Sequence, residues 1–454
     1  MSDPLTTLCR FASEIDFDAL PDFVRHQAKL VSADTIGVIV AGSAEPQMCS
    51  LSKSMLNDAP GSASVLGSGR RGCKDVAAFL NGCAGTFLEL DEGNRFTRGH
   101  PAMHVLPALL SVAEATQASG SAFLRALVLG YEISARIAIG ARLRASTHPH
   151  GTWGTVGAAA AVANLAGATP AQMREVINVA TTLGLANSAQ AMYEGALVRN
   201  SFAGFAARNG MTAWQLVQAG FTGERDALSS VWGAVLSDEW DAQALTDELG
   251  TRWEITRNYF KLHACCRYNH AALDALAQIS ATHQLTAREI ERVDVVTYSM
   301  AARLDDTAPT NTLAAKFSVP FSVATTVVTG SSGLTSFDGD AIGDPRTAEL
   351  AKRVHVREDV AMTNLLPEMR PANVTVTLNN GARLEGSTNS NRGDFDYPYA
   401  PDQLKGKFFA LIQRVWPRDV AVSMWQRLQS LDELVDVNTL TDLLTETSQS
   451  KSLS

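Results

Sequence analysis

The stretch THPHGTWGTVGAAAAVANLAG, residues 147–167, joins two histidines to a segment rich in alanine and glycine. Residues 154–165 have the apolar spacing of a helix, and their small side chains allow neighbouring helices to approach closely. His148 and His150 precede this helix, and a helix N-terminus attracts carboxylates. Tight packing alone would also explain Gly154 and Gly157. Packing and a binding site are therefore both open, and the two are compatible.

The same helical spacing recurs on both sides of this stretch. The other helices predicted in the first half are residues 17–36, 75–90, 102–117, 121–139, 170–185 and 202–219. Later, residues 292–300 and 353–359 alternate like strands, and Asn379-Asn380-Gly381 marks a hairpin turn. Helical spacing returns after residue 401. The predicted fold class is mainly α: a large all-α helical domain built from both chain ends, residues 1–258 and 396–454, with an inserted α+β domain, residues 259–395.

Composition and charge exclude several classes of protein. Hydrophobic residues are 46% of the 454 residues and charged residues 19%, as in a well-packed globular protein. The net charge of −9, without clusters of Lys and Arg, argues against a nucleic-acid partner. The chain shows no export signal and no long apolar run, so we expect a cytoplasmic protein with no membrane partner. The six cysteines lack CxxC spacing and are expected to be free thiols.

The stretch LELDEGNRFTRGHPAMH, residues 88–104, concentrates ionisable side chains, among them Glu89 and Asp91. His100 stands directly before a predicted helix, where the neutral imidazole is favoured, and a neutral imidazole can act as a general base. His100 and His104 also have HxxxH spacing, which could hold a metal together with a carboxylate. A solvated connection between two helices would explain the same charges without any site. The residues alone leave these three interpretations open.

A second charged cluster, YFKLHACCRYNH, residues 259–270, falls where the two predicted domains meet and contains Lys261, Cys266 and His270. Clefts between domains are common ligand sites. Cys266 is either a reactive thiol of lowered pKa or a buried, inert one. Arg199 comes just before the predicted helix 202–219. It can grip a carboxylate with two parallel hydrogen bonds, although a surface arginine is the commoner case.

The remaining motifs disfavour nucleotide chemistry. Gly67, Gly69 and Gly72 have GxGxxG spacing, but no βαβ unit follows, and we interpret them as a glycine-rich turn. The chain has no GxxxxGK[ST], HExxH or GxSxG motif. The clusters together predict an enzyme with a cationic, histidine-rich pocket. It would transfer protons on a small polycarboxylate without an organic cofactor.

Four blocks of the chain, in order and in spacing, resemble the MmgE/PrpD family, which includes 2-methylcitrate dehydratase, cis-aconitate decarboxylase and iminodisuccinate epimerase. The blocks are NGCAGTFLELDEGNRFTRGHPAMHVLPALLSVAEA, THPHGTWGTVGAAAA, FAGFAARNGMTAWQLVQAGFTG and YFKLHACCRYNH. The resemblance implies that the α+β insertion is a lid over the active site, that the protein is a homodimer, and that no cofactor or metal is needed. It implies catalytic roles for His100, His148, Asp91 and Lys261. We expect substrate-binding roles for Glu89, His150, Arg199, Cys266 and His270.

Some positions depart from the family pattern. Glu89 and Glu92 replace Asp, Thr86 replaces a frequent His, Arg199 a common Lys and Phe202 a His, and Phe321 and Cys266 stand where decarboxylase-like members carry Tyr and His. These departures argue against cis-aconitate decarboxylation. We therefore expect a cofactor-independent lyase that dehydrates a small hydroxy-polycarboxylate by alpha-proton abstraction. The alternatives are an epimerase, a decarboxylase acting on a related acid, and a catalytically inactive homologue that binds carboxylates.

Overall fold

The computed structural model describes residues 3–451, with side chains described up to residue 444. Its α-helices are α1 Pro4–Glu14, α2 Asp22–Ser43, α3 Pro46–Leu56, α4 Lys74–Thr86, α5 Pro101–Thr116, α6 Gly120–Gly140, α7 Trp153–Leu165, α8 Pro170–Thr182, α9 Gln190–Tyr193, α10 Phe202–Gln218, α11 His270–Ser280, α12 Ser299–Ala302, α13 Thr312–Lys316, α14 Val319–Thr329, α15 Gly339–Gly343, α16 Pro345–Ala351, α17 Val360–Thr363, α18 Pro401–Ile412, α19 Arg418–Gln429 and α20 Asn438–Lys451. Its strands are β1 Ala63–Val65, β2 Arg70–Gly72, β3 Gly93–Asn94, β4 Ala141–Leu143, β5 Ser237–Trp240, β6 Asn258–Tyr259, β7 Ile290–Thr297, β8 Val354–Glu358, β9 Ala372–Leu378 and β10 Arg383–Thr388. Within residues 3–451, no helix is both long enough and apolar enough to cross a bilayer.

Helix α7 lies at the centre of the helical part of the molecule and packs against α5, α6, α8 and α10. All its residues except Leu165 are buried. Small side chains make this possible, because a Cβ added at Gly157 would lie 2.5 Å from the Cβ of Ser134 and 2.7 Å from the carbonyl oxygen of Gly130, both on α6. The prediction of a tightly packed, small-residue helix over 154–165 is confirmed.

The two ends of the chain pack together. Helices α18 and α19 contact α2, and α20 contacts α19. In α18, the buried ammonium of Lys407 lies 2.5 Å from a carboxylate oxygen of Asp34 in α2 and 2.7 Å from the carbonyl oxygen of Leu90. The predicted mainly α class is confirmed. The boundaries at residues 258 and 395, and the function of the insertion as a lid, stay predictions.

The largest sheet has four strands in the order β10-β9-β7-β8. Strand β7 pairs antiparallel with β9 and parallel with β8, and its buried Val293 and Val295 face Val376 and Val374 of β9. Helix α11 covers β9 and β10, and α14 contacts β8. The predicted hairpin is present, because β9 and β10 pair antiparallel around a turn in which Gly381 has φ 80°.

Prolines and glycines decide where several predicted elements begin and end. The predicted helix 17–36 is a 3₁₀ turn followed by α2, because Pro21 occupies the N-cap position and α2 begins at Asp22. Pro107 does not interrupt α5, which runs from Pro101 to Thr116. The glycine-rich turn is confirmed: β1 and β2 form a hairpin, and Gly67 and Gly69 have φ of 81° and 68°.

Candidate active site

Two short elements bring the charged stretches together. Strand β3 pairs with β6, so that Gly93 faces Tyr259 and Asn94 faces Asn258. The connection that precedes α7 is held at the same place, because the N–H of Gly151 donates to Nε2 of His104 in α5 over 3.3 Å. Between these elements lies a cavity of about 470 Å³, including its open mouth. Its walls are Glu89, Arg98, His100, His148, Pro149, His150, Met192, Arg199, Tyr259, Cys266, Arg267, Tyr268, Phe317 and Arg370.

His100 stands at the N-cap of α5 with one ring nitrogen fixed. Its Nδ1 lies 2.6 Å from the carbonyl oxygen of Glu92 and 3.1 Å from a carboxylate oxygen of Asp91. A carbonyl oxygen can only accept, so Nδ1 carries the proton and Nε2 has a free lone pair. Burial, followed by the charge of Lys261, holds the pKa of His100 well below its usual range. The imidazole is therefore neutral and has the tautomer of a base.

His148 faces a donor at each ring nitrogen. The backbone N–H of His150 donates to Nδ1 of His148 over 3.0 Å. Arg199 donates from Nε to Nε2 of the same ring over 3.4 Å. Burial, followed by Arg199, holds the pKa of His148 well below its usual range. His148 is thus a neutral ring held between two donors.

The four histidines around the cavity form one cluster. The His150 ring lies edge-on to three others, with centroids 5.0 Å from His100, 5.1 Å from His104 and 4.8 Å from His148. Burial lowers the pKa of His104 to about 4 and places that of His150 well below its usual range. Because the rings are buried and lie edge-on at close range, they stay neutral: two neighbouring imidazolium charges would repel each other.

An ion network lies beside and behind the histidines. Lys261 donates to the carbonyl oxygen of Glu89 over 3.1 Å and lies 3.4 Å from Asp91 and 3.6 Å from the Glu89 carboxylate. The Glu89 carboxylate also forms an ion pair with Arg199. Burial lowers the pKa of Lys261, but Asp91 and Glu89 outweigh it and leave that pKa above its usual value. Lys261 is therefore charged.

The structure brings most of the predicted site residues to one place. His100, His148, His150, Glu89, Arg199 and Cys266 line the cavity. Asp91 and Lys261 do not line it, but they contact residues that do.

His270 does not line the cavity. Its Nδ1 pairs with Arg267 over 2.9 Å and its Nε2 lies 3.2 Å from the carbonyl oxygen of Cys265, so both nitrogens are engaged. The neighbouring Arg267 lines the cavity instead. At Cys266, burial raises the pKa to about 11, and the thiol is protonated. Of the two interpretations of Cys266, this raised pKa favours the inert thiol.

The phenylalanine at the cavity is Phe317. Phe321 packs in the core, with its ring centroid 6.0 Å from that of Phe337. The Phe317 ring lies 5.5 Å from the guanidinium carbon of Arg199. Phe202 packs edge-on against His148 at 5.6 Å. Of the departures from the family pattern, Glu89, Arg199 and Cys266 line the cavity, Phe202 packs against His148, and Phe321 lies in the core.

Sequence reasoning missed other lining residues, notably Arg98, Tyr259, Tyr268 and Arg370. Arg98 lies within the charged stretch 88–104, so its proximity to His100 was a usable signal. Arg370 is a single arginine before β9, and nothing in its local sequence marks it.

The donor atoms were also considered for a metal ion. His100 and His104 do not make an HxxxH site, because His104 donates from Nδ1 to the carbonyl oxygen of His100 and accepts at Nε2 from Gly151. Asp91, His100 and His150 each offer an atom within 4.8 Å of the others. A dication there would compete with the Lys261 ammonium, 3.4 Å from Asp91. This charge environment suits an anion better than a divalent cation.

The neutral histidines, their carboxylate partner and the bordering guanidinium groups thus lie around one cavity. The chain belongs to the MmgE/PrpD family: residues 6–241 match the MmgE/PrpD N-terminal domain and residues 263–430 match the MmgE/PrpD C-terminal domain.

Several curated proteins are similar to the chain over most of its length. A cis-aconitate decarboxylase-like protein, oryM, from Aspergillus oryzae is 26% identical and covers 96% of each chain. The cis-aconitate decarboxylase of Aspergillus terreus is 23% identical, over 96% of this chain and 95% of its own. The human cis-aconitate decarboxylase is 25% identical, over 81% of this chain and 79% of its own.

Proposed function

We propose that the chain is a lyase that dehydrates a small hydroxy-polycarboxylate without a cofactor. The observation that carries the proposal is the state of His100. Its imidazole is neutral, its Nδ1 proton is held by the carbonyl oxygen of Glu92 with the Asp91 carboxylate nearby, and its free Nε2 belongs to a ring that lines a guanidinium-bordered cavity. Membership of a family whose similar members are named as decarboxylases supports the broader class of lyase.

The proton balance favours His100 as the one group that moves protons. Nε2 of His100 takes the proton alpha to a carboxylate, and Asp91 stabilises the imidazolium that forms. The carbanion then expels the beta hydroxide, and the same imidazolium returns the proton to make water. His148 cannot supply that proton, because it is neutral and would become an imidazolate. His148 instead lines the cavity as a neutral ring in contact with Arg199, whose guanidinium charge stabilises the developing negative charge.

Decarboxylation of an unsaturated acid is the second candidate, favoured by the names of the similar proteins from Aspergillus terreus and human. That reaction needs a proton for the carbon that loses CO₂. Burial keeps His100 neutral in the free enzyme, because its pKa lies well below the usual range. The site of the free enzyme therefore suits proton abstraction better than proton delivery.

The test is incubation in D₂O with citrate, 2-methylcitrate and cis-aconitate, followed by proton NMR and CO₂ detection. The proposal expects vinyl signals from a hydroxy acid, with deuterium at the alpha carbon of recovered substrate. Release of CO₂ without a vinyl product from a hydroxy acid would replace dehydratase by decarboxylase. Exchange alone would indicate an epimerase.

The variant that tests the base is His100→Gln, whose side chain is close in size but has no basicity. It should lose activity by about 10²- to 10⁴-fold at unchanged fold. A wild-type chain that binds these acids and neither exchanges nor converts them would leave a binding protein in place of an enzyme.

A further inference from the structure

Most of the cations at the cavity are already balanced by carboxylates of the protein. Arg199 forms an ion pair with Glu89, and Lys261 lies beside Glu89 and Asp91. Arg267 lies 3.0 Å from Asp394. These cations have protein partners before any ligand arrives.

Arg370 is different, because it is buried and has no such partner. It is 2% exposed, and its one side-chain hydrogen bond runs from Nη2 to the carbonyl oxygen of Arg95, at 2.8 Å. Its Nε is buried without a hydrogen-bond partner. Among the described residues, no carboxylate oxygen lies within 4.0 Å of its guanidinium; Asp394 and Asp396 pair with Arg95 and Arg267 instead.

The phenols around Arg370 do not neutralise it, and the Asp394 carboxylate acts on it only from beyond 4.0 Å, while paired with Arg267. Its guanidinium carbon lies 5.5 Å from the ring of Tyr268, and Tyr259 and Tyr298 are the other phenols close to it. Burial raises the pKa of all three tyrosines, so each is a neutral phenol. A buried guanidinium without an anionic partner is costly, and a bound anion would remove that cost.

Arg98 adds a second unbalanced guanidinium at the mouth. It lines the same cavity, is exposed, and makes no side-chain hydrogen bond or ion pair within the described residues. Its φ of 55° is a left-handed conformation that costs a non-glycine residue energy and is concentrated at functional sites. The loop that ends in His100 is thus held in a strained form that keeps Arg98 at the opening.

We propose that Arg370, assisted by Arg98, binds a substrate carboxylate that takes no part in bond breaking, and thereby selects polycarboxylates. The inference rests on the proposed function, since it takes its substrate class from there. It assigns carboxylate recognition to Arg370 rather than to Arg199 and Lys261, whose charges are paired with carboxylates of the protein. Arg370 offers the planar donor pair that grips a carboxylate with two parallel hydrogen bonds.

The test is calorimetric binding of tricarballylate, a tricarboxylate with no hydroxyl group to eliminate, to the full chain. Arg370→Gln should weaken binding about ten- to a hundredfold, because a charged hydrogen-bonded contact is lost. Arg370→Lys should recover only part of this loss, because an ammonium lacks the paired donors. Arg98→Gln should weaken binding severalfold. Arg383→Gln, at an exposed position of β10, is the matched control and should bind as the wild type does.

The binding results separate this inference from the proposed function. If Arg370→Gln is folded and binds tricarballylate within twofold of wild type, the inference is wrong while polycarboxylate binding stands. If wild type binds neither tricarballylate nor glutarate at millimolar concentration, the proposed substrate class fails, and this inference with it. Should Arg370→Gln not fold, the exposed Arg98→Gln and the conservative Arg370→Lys decide, and unchanged binding by both would overturn the assignment.

Discussion

The two histidines that border the cavity from different segments differ in the groups that their ring nitrogens face. At His100, Nδ1 donates to the carbonyl oxygen of Glu92, so Nε2 keeps its lone pair. At His148, both ring nitrogens face donors, the N–H of His150 at Nδ1 and Nε of Arg199 at Nε2. The tautomer of His100 is set by a main-chain acceptor, so it survives changes to neighbouring side chains.

Replacing Asp91 by Asn tests how much of the His100 function depends on charge. The Glu92 carbonyl oxygen still holds the Nδ1 proton at 2.6 Å, so the base tautomer is kept. What is lost is the nearby negative charge that stabilises the imidazolium, 3.1 Å from Nδ1, and we expect kcat to fall roughly 10- to 100-fold. Steady-state kinetics beside His100→Gln measure it. A loss as large as that of His100→Gln would mean that Asp91 is itself essential for the proton transfer.

At this scale the sequence predicted the residues that lie in charged or histidine-bearing blocks. His100, His148 and Glu89 were found because their chemistry is concentrated in short segments. Arg370 could not be found, because its significance comes from the absence of a carboxylate partner in three dimensions. Phe317, four residues before Phe321, lines the cavity, whereas Phe321 lies within α14 and packs in the core.

Among the elements, α5 and α7 position the site together. The ring of His104 in α5 rests against Gly154 at the start of α7, where an added Cβ would lie 2.3 Å from the ring. His104 also bonds to the carbonyl oxygen of His100 and to the N–H of Gly151. The contact between these two helices therefore fixes the base and the histidine-bearing connection relative to each other.

Gly154→Ala should disturb both stability and activity. A methyl group cannot fit beside the His104 ring, and overpacking of a well-packed core costs about 1–3 kcal/mol of the free energy of unfolding. Activity should fall further than the unfolded fraction explains, because the His104 bonds shift. The matched control is Gly406→Ala in α18, where nothing lies within 4 Å of the added Cβ and stability should rise by about 0.5–1 kcal/mol. Urea unfolding and turnover measure both; equal effects at the two positions would contradict the packing argument.

Elements with strong periodicity were predictable and irregular ones were not. The small-residue helix α7 and the hairpin of β9 and β10 follow from local pattern and turn chemistry. The segment between α10 and α11 was not predictable, since it consists of a π-helical stretch, Leu228–Leu236, and short strands and 3₁₀ turns held by distant partners. The pairing of β3 with β6 spans more than 160 residues and has no local signal, yet it helps to bring the two halves of the site together.

For the whole molecule, the buried titratable groups set opposite trends of stability with pH. Five histidines, His100, His104, His148, His150 and His270, have pKa values lowered by burial. The unfolded chain protonates them below about pH 6.5 and the folded chain does not, so stability falls as the pH falls. Burial raises the pKa of Glu92 to about 8 and of Glu132 to about 7, and it also raises the pKa of Asp34 and Glu114. These carboxyls ionise earlier in the unfolded chain, so they remove stability as the pH rises.

We therefore expect the urea midpoint of unfolding to be highest near pH 6.5 and to fall on both sides. Below pH 6.5 the five buried histidines lower the stability and outnumber the strongly shifted carboxyls, so the urea midpoint should fall more steeply on the acid side. His104→Gln should flatten the acid limb by about one proton, or about 1.4 kcal/mol per pH unit, because the pKa of His104 in the folded chain is about 4. His355→Gln, at an exposed position of β8, should leave the limb unchanged. A midpoint that stays level between pH 5 and 6.5, or an acid limb that His104→Gln does not alter, would show that the buried histidines are not what limits stability in acid.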